Sequence, residues 1–339
     1  MKRLIAEFEK QSFTQIIFPH PKTDWIPYLK EAEQNFINII NNIIKYQKCL
    51  VICADIKYVK SKFSSNKKLF FIEYLSDDTW ARDCSAISLE EDKDIKLLDF
   101  IFTGWGSKFK ASKDNAMNKN LKQYYLKEVL HMDFILEGGA IESNGCGLLL
   151  TTSTCMLNKN RNNLKKDEIT KRLKEYFGVK EILYLEHGYL AGDDTDSHID
   201  TLARFIDEKT IMYIKCEDKK DEHYEELKLM EDELKSFAKN FTLHLISLPL
   251  PDAIYYENER LPATYANFLF INDAVLVPLY NVPQDKEALK IFKKTFPKRE
   301  IVGIDCQTLI KQHGSLHCVT MNFANGIDIL DFSYTFKGQ

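Results

Sequence analysis

Short apolar segments alternate with charged segments of helical period along most of the chain. Apolar runs of about four to eight residues bounded by polar turns indicate strands, and apolar residues at every third or fourth position indicate helices. These rules predict helices at 25–46, 121–131, 166–177, 221–240 and 285–296. They predict strands at 49–54, 69–75, 95–100, 147–152, 181–185, 210–214, 243–248 and 274–277. The alternation predicts an α/β protein without choosing among α/β architectures.

No linker rich in proline, glycine or serine divides the 339 residues, and the 13 glycines gather around short motifs. A hydrophobic fraction of 45% and a charged fraction of 28% are ordinary for a chain that buries a large core. We therefore expect a single domain over residues 1–339.

The charge balance limits the partners of the chain. A net charge of −4 and a pI near 6.1 give no positive field that could hold nucleic acid or an anionic membrane. Acids at Glu7 and Glu9 interrupt the N-terminal segment before any apolar run, and no apolar run approaches the roughly 20 residues of a membrane span. We expect a cytoplasmic protein whose eight scattered cysteines stay reduced.

An acidic segment with an indole, running from Asp77 to Asp83, follows a predicted strand. Paired carboxylate oxygens can accept from the N–H groups of a guanidinium, and the ring of Trp80 can lie against its face. Taken alone, the segment is more typical of an exposed acidic turn with a buried tryptophan.

Two further segments place acids beside flexible or titratable residues. Glu137 precedes the pair Gly138 and Gly139, which permits a close approach of backbone or ligand. His198 and Asp200 are two residues apart, so on an extended strand both would project to the same face. A glycine pair after a glutamate is also common in ordinary turns. A single histidine is more often a structural residue than a catalytic one.

Cys318 is the best candidate for a nucleophile. It begins a short apolar strand after a glycine turn, and His198 or a cationic substrate could favour its thiolate. His313 and His317 lie nearby, but no CxxC or HExxH spacing is present and we expect no metal. The chain also lacks the GxSxG motif of serine hydrolases.

Four motifs in order resemble the agmatine deiminase family: WARD at 80–83, EGGAIES at 137–143, SHIDTLARF at 197–205 and LHCVT at 316–320. The segments FTGWGSKF, LLTTSTCMLNKNRN and PATYANFLFINDAVLVP, at 102–109, 149–162 and 262–278, extend the resemblance to nearly the whole chain. That family belongs to the guanidine-modifying (pentein) superfamily. The resemblance implies a five-bladed α/β propeller with pseudo-fivefold symmetry and a central active site.

The resemblance also implies roles for individual residues. Cys318 would be the nucleophile, His198 the general acid and base, and Glu137 the acid that orients the site. Asp83 and Asp200 would hold the guanidinium of agmatine, giving N-carbamoylputrescine and ammonia without a cofactor. Three more residues would complete the substrate site, with an acid for the distal amine and two indoles along the alkyl chain: Asp194, Trp80 and Trp105. A homodimer is a family-level expectation.

Several departures leave the substrate open. The approach to the nucleophile reads His313-Gly314-Ser315, Met321-Asn322 replaces a glutamine-rich stretch, and residues 18–25 follow the family only in part. A peptidylarginine deiminase would use the same catalytic groups on arginine within peptides. An amidinotransferase would pass the amidino group to an amine, and a guanidinium-binding protein would not turn the ligand over.

Overall fold

Six β-sheets contain the strands of the computed structural model, which describes residues 2–330. Five of them have three or four strands, and the sixth is the hairpin Tyr255–Tyr256 and Glu259–Arg260. Among the described residues, no helix has the length and apolar character needed to cross a membrane.

Each larger sheet repeats one arrangement: an antiparallel pair of strands and then a parallel neighbour. In spatial order, the strands of the five sheets are Thr320–Ala324, Gln11–Ile17, Lys48–Cys53 and Leu69–Glu73; Lys2–Leu4, Ile87–Glu91, Asp94–Ile101 and Val129–Ile135; Glu181–Leu185, Leu148–Thr152 and Glu142–Ser143; Ala203–Asp207, Thr210–Lys215 and His244–Pro249; and Leu269–Ile271, Ala274–Leu279 and Glu300–Asp305.

For each of the five larger sheets, a long helix connects two strands that pair in parallel, because parallel neighbours need a crossover connection. These helices are Leu29–Tyr46, Ser112–Leu121, Lys166–Phe177, Tyr224–Phe241 and Gln284–Thr295. Shorter helices are Ile56–Lys60, Ala81–Cys84, Gly104–Ser107 and Ser153–Met156, and the 3₁₀ turns are Ile26–Tyr28, Lys122–Tyr124, Gly138–Ala140, Ile199–Thr201, Tyr265–Asn267 and Leu309–Gln312.

The helix Leu29–Tyr46 illustrates how the sequence produces these layers. Its buried apolar side chains, Phe36, Ile39, Ile40 and Ile43, recur every three or four residues and form one face. Burying each of these isoleucines stabilises the fold by about 1.5–3 kcal/mol. The apolar period is therefore sufficient to dock the helix on its sheet.

The α/β prediction is confirmed, but the helix predicted at 121–131 is wrong. The helix there is Ser112–Leu121, and Val129–Ile135 is a strand. The buried helix positions are Asp114, Met117, Asn118 and Leu121, so polar side chains occupy half of the inward face. Asp114 accepts from the backbone N–H groups of Asp77 and Asp78, and such internal polar bonds hide a helix from an apolar pattern.

Five short segments, each directly preceding one strand of a larger sheet, position the site. Four are the turns Ala81–Cys84, Gly138–Ala140, Ile199–Thr201 and Tyr265–Asn267, and the fifth leads through Cys318 into Thr320–Ala324. Neighbouring segments contact one another in chain order. The last returns to the first, because the Arg82 N–H donates to the carbonyl oxygen of Cys318 at 3.1 Å.

Candidate active site

A cavity of about 460 Å³ is lined by residues from three of these segments: Asp83, Asp200 with Thr201, and Cys318. All five residues expected to contact a substrate also line it: Asp83, Asp200, Trp80, Asp194 and Trp105. Of the two remaining predicted residues, His198 lines the cavity and Glu137 lies behind it. The structure therefore brings together all of the sequence-predicted site residues.

Cys318 stands beside an acid and an amide. Its Sγ is 3.9 Å from Oδ2 of Asp200 and 3.4 Å from Oδ1 of Asn267. Burial, followed by the charges of Asp200 and Asp83, raises the pKa of the Cys318 thiol well above its usual range. Cys318 is therefore a neutral thiol until a positive charge enters the cavity.

His198 is fully buried between two carboxylates. Its Nδ1 is 3.7 Å from Oδ1 of Asp83, and its Nε2 is 3.9 Å from Oε2 of Glu137. Within residues 2–330, Nε2 has no hydrogen-bond partner. Burial lowers the pKa of His198 to about 3, so the ring is neutral at pH 7 and can accept a proton.

The expected strand geometry of His198 and Asp200 is wrong. His198 directly precedes the 3₁₀ turn Ile199–Thr201, which contains Asp200. The two side chains nevertheless reach the same cavity, because a tight turn leaves both on its inner side.

Asp83 accepts two hydrogen bonds and lies close to two other acids, Asp200 and Glu137. The indole Nε1 of Trp105 donates to its Oδ2 at 2.9 Å, and the backbone N–H of Gly139 donates to its Oδ1 at 2.8 Å. Burial, followed by the charge of Asp200, raises the pKa of Asp83 to about 8. In the empty site this carboxyl therefore holds a proton at neutral pH.

Asp200 differs from Asp83 because it has a cationic or proton-donating neighbour. His317 Nδ1 lies 2.7 Å from its Oδ2, and the Asn267 amide donates to the same oxygen at 3.3 Å. Although burial alone would raise it, the hydrogen bond and charge of His317 hold the pKa of Asp200 below its ordinary value. Its Oδ1 has no hydrogen-bond partner among the described residues.

Glu137 is positioned by Arg161. The Arg161 Nε donates to both carboxylate oxygens of Glu137, at 3.1 and 2.8 Å. The same guanidinium donates to Oδ2 of Asp196 at 2.7 Å and to the carbonyl oxygen of Thr195 at 2.9 Å. Arg161 therefore connects the acid behind His198 to the loop that lines the cavity mouth.

Two glycines make room for the site. A Cβ at Gly139 would stand 2.7 Å from Nδ1 of His198 and 2.9 Å from Oδ1 of Asp83. A Cβ at Gly314 would stand 2.2 Å from the Trp80 ring. Any larger residue at either position would displace a side chain of the cavity wall.

Indoles and acids form the mouth. The rings of Trp80 and Trp105 meet edge to face with centroids 6.4 Å apart. The indole Nε1 of Trp80 donates to Oδ2 of Asp78, whose pKa is raised to about 7 by burial and by Asp114. Burial and the charge of Asp193 raise the pKa of Asp194 to about 6. The mouth is thus acidic and partly apolar, which suits a cation with a methylene chain.

In the part of the chain that the structure describes, two groups each place three possible metal ligands within 4.8 Å of one another: Glu137, Cys155 and His198, and Glu7, Glu142 and His317. In both groups an arginine side chain already pairs with the carboxylates. Arg161 donates to Glu137, and Arg204 pairs with Glu7 and Glu142. A divalent ion would have to displace an arginine, so we assign no metal to either group.

Three residues of the site carried no predicted role: Asn267, Arg161 and His317. The first two lie in segments 262–278 and 149–162, whose resemblance to the family was the available signal. His317 appeared only as a possible metal ligand. Their contacts join residues far apart in the chain, which no local pattern reports.

Fold and site together define a class: an α/β protein with a buried cysteine, a neutral histidine and two acids around a cavity that can receive a cation. Residues 3–323 match the model of the Porphyromonas-type peptidyl-arginine deiminase family. The chain belongs to that family.

Solved structures similar to this chain carry several descriptions, of which three follow. A C. jejuni agmatine deiminase with substrate bound is 43% identical, with 96% of this chain and 97% of that chain covered and a TM-score of 0.93. A structure described as a candidate peptidyl-arginine deiminase is 47% identical, with coverages of 96% and 99% and a TM-score of 0.92. The agmatine deiminase of Enterococcus faecalis is 26% identical, with 95% of each chain covered and a TM-score of 0.87.

Proposed function

We propose that this protein is an enzyme that hydrolyses the guanidinium group of agmatine to N-carbamoylputrescine and ammonia. The observation that carries the proposal is the position of the Cys318 thiol beside Asp200, in the same cavity as His198. Among residues 2–330, Oδ1 of Asp200 and Nε2 of His198 have no hydrogen-bond partner and can contact a ligand. The similarity to agmatine deiminases of C. jejuni and E. faecalis supports it.

Asp83 and Asp200 hold the guanidinium. Oδ1 of Asp200 is free to accept an N–H, and Asp83 becomes a carboxylate when the cation arrives because opposite charges favour its ionised form. Charge-assisted hydrogen bonds to planar N–H donors also fix the plane of the group. The electrophilic carbon is thereby held in reach of Sγ.

Cys318 becomes a nucleophile only with substrate present. The guanidinium offsets the two acids that keep the thiol protonated, and neutral His198 accepts the proton. Sulfur then adds to the guanidinium carbon. A C–S bond forms and the C=N electrons move to nitrogen.

His198 next returns its proton to the departing nitrogen, and ammonia leaves as the C–N bond breaks. The S-alkylthiouronium that remains is attacked by a water molecule, which His198 deprotonates. Cleavage of the C–S bond then regenerates Cys318 and leaves the ureido product. Glu137, held by Arg161, stabilises the imidazolium in both halves.

The distal amine of agmatine lies at the mouth, near Asp194, with its methylenes between Trp80 and Trp105. Among residues 2–330, neither arginine nor lysine lines the cavity. The carboxylate of free arginine would therefore face Asp194, and the nearby Lys108 already donates to the carbonyl oxygen of Asp194 and to Asp196. This charge pattern favours a diamine-like substrate over an amino acid.

The architecture we propose is a five-bladed propeller with pseudo-fivefold symmetry, formed by one catalytic domain. Five sheets with the same strand arrangement, each with one of the five short segments directly before one of its strands, support it. A homodimer and a cytoplasmic location remain predictions.

Ammonia release by the purified protein, treated with a chelator, tests the function with agmatine, free arginine and an arginine-containing peptide. Release from agmatine alone is the expected result. Release from the peptide alone would move the assignment to protein modification. Formation of an amidinated acceptor without ammonia would identify an amidinotransferase. No reaction with any of the three substrates would favour a protein that binds guanidinium compounds without converting them.

A further inference from the structure

His317 bridges two carboxylates inside the protein. Its Nδ1 lies 2.7 Å from Oδ2 of Asp200, and its Nε2 lies 2.6 Å from Oε2 of Glu7. The side chain is almost completely buried, so water does not compete for either nitrogen. A ring fixed at both ends in this way cannot turn, and neither can the oxygen of Asp200 that it holds.

A group of opposite charges fixes the far end of His317. Glu7 also accepts from Arg204 at 2.8 Å and lies 3.6 Å from Arg82, and Arg204 pairs in turn with Glu142. Burial of these ions is tolerated because each has an opposite charge beside it. Glu7 is therefore a rigid support for the imidazole.

The contacts of Asp200 with the described residues leave one carboxylate oxygen available to a ligand. His317 and Asn267 both occupy Oδ2, and Oδ1 has no partner within the described residues. If the His317 contact were lost, the carboxylate could rotate and offer either oxygen, with Sγ of Cys318 only 3.9 Å from Oδ2. The direction of the free oxygen depends on the histidine.

We propose that His317 is a positioning residue that fixes Asp200 so that its free oxygen receives the guanidinium. The inference rests on the proposed function and deepens it. A purely structural role is the competing explanation: His317 would serve only to fasten the N-terminal segment through Glu7.

Two substitutions separate these roles, because each keeps one of the two hydrogen bonds. In His317→Asn the amide nitrogen takes the place of Nδ1, so donation to Asp200 is kept and Glu7 is lost. In His317→Gln the amide nitrogen takes the place of Nε2, so Glu7 is kept and Asp200 is lost. His187, which pairs with Glu233 away from the cavity, receives the same substitutions as a control.

The experiment measures kcat and KM for agmatine and the melting temperature of every variant. We expect the Gln variant to lose about 100-fold in kcat/KM, through both parameters, since a displaced grip misaligns the substrate. The Asn variant should stay within about tenfold of the unsubstituted protein, and the His187 variants within about threefold. Equal losses in the two His317 variants, or a larger loss with Asn, would overturn the inference.

An unsubstituted protein that is inactive on agmatine would instead refute the proposed function, so the two failures are distinct. Glu7→Gln serves if neither His317 variant shows a cooperative melt, because it leaves an acceptor for Nε2 and the Asp200 contact unchanged. Activity of Glu7→Gln within about tenfold of the unsubstituted protein supports the inference. A loss as large as the one expected for His317→Gln overturns it.

Discussion

The α-carbon of Gly139 packs against the ring of His198 so closely that a Cβ there would lie 2.7 Å from the imidazole Nδ1. Real Cβ atoms do not approach so near, and the same Cβ would also crowd Asp83 and Asp200. The backbone of Gly139 is not in the left-handed region, so its conformation does not require glycine. The surrounding side chains require it, because they leave no space for a Cβ.

Gly139→Ala should therefore lower kcat by about 100-fold, because a displacement of His198 or Asp83 of even 1 Å misaligns the reaction. The cost in stability should be about 1–3 kcal/mol, as for other overpacked sites. Gly303→Ala is the control, because its Cβ would meet only the flexible end of Leu279, away from the cavity. Equal activity of the two variants would contradict the assignment.

Cys318→Ala and Cys318→Ser should abolish ammonia release from agmatine while keeping the melting temperature nearly unchanged. The hydroxyl of serine hardly ionises at neutral pH, so it cannot replace the thiol. Calorimetry should still detect agmatine binding, because Asp83 and Asp200 remain. Measurable turnover by either variant would refute the cysteine mechanism.

The pH dependence of kcat/KM should reflect Asp83. Its pKa of about 8 in the empty enzyme means that it is protonated below that pH and must lose a proton to bind the cation. Because kcat/KM reports the free enzyme, it should rise with pH, reach half of its plateau near pH 8 and level off above that pH. His198, with a pKa near 3, does not titrate in this range. A profile that is flat between pH 6 and 9 would contradict the raised pKa.

Removal of the Arg161 guanidinium should raise the pKa of Glu137. Burial raises the pKa of Glu137, and the charge and hydrogen bonds of Arg161 oppose that rise. Removing the guanidinium should therefore raise this pKa further and weaken the negative charge that stabilises the His198 imidazolium. We expect Arg161→Gln to lower kcat by about 100-fold and KM to change less. Arg172→Gln, which removes an exposed partner of Glu168, should leave kcat intact. A pure KM effect in Arg161→Gln would place the residue in substrate binding instead.

Asp194→Asn tests the distal end of the substrate. Loss of the partly buried charge should raise KM for agmatine about tenfold with little change in kcat, since the amine is remote from the reacting carbon. Asp24, an exposed acid on the same wall, gives the matched variant Asp24→Asn. If only the latter raised KM, the amine site would belong to Asp24.

The local motifs and the resemblance they carry together predicted which residues gather at the cavity: Asp83, Glu137, His198, Asp200 and Cys318. Their catalytic and binding roles came from the resemblance and stay predictions, whereas the apolar periods located most crossover helices. Sequence failed where the partner is distant or polar. Glu7 and Asn267 reach the site from segments with no catalytic pattern, and Asp114 and Asn118 replaced the apolar side chains that would have marked their helix.

The antiparallel pairing of Thr320–Ala324 with Gln11–Ile17 has a consequence for how the molecule is made. It joins strands near opposite ends of the chain, so the entropy of a very long loop is lost when it forms, and folding is expected to be slow. Cys318 lies just before that last strand, and in the folded protein its sulfur is beside Asp200. We therefore expect a chain in which this pair has not formed to carry an ordinary thiol, without the raised pKa that burial and the two acids give it in the fold.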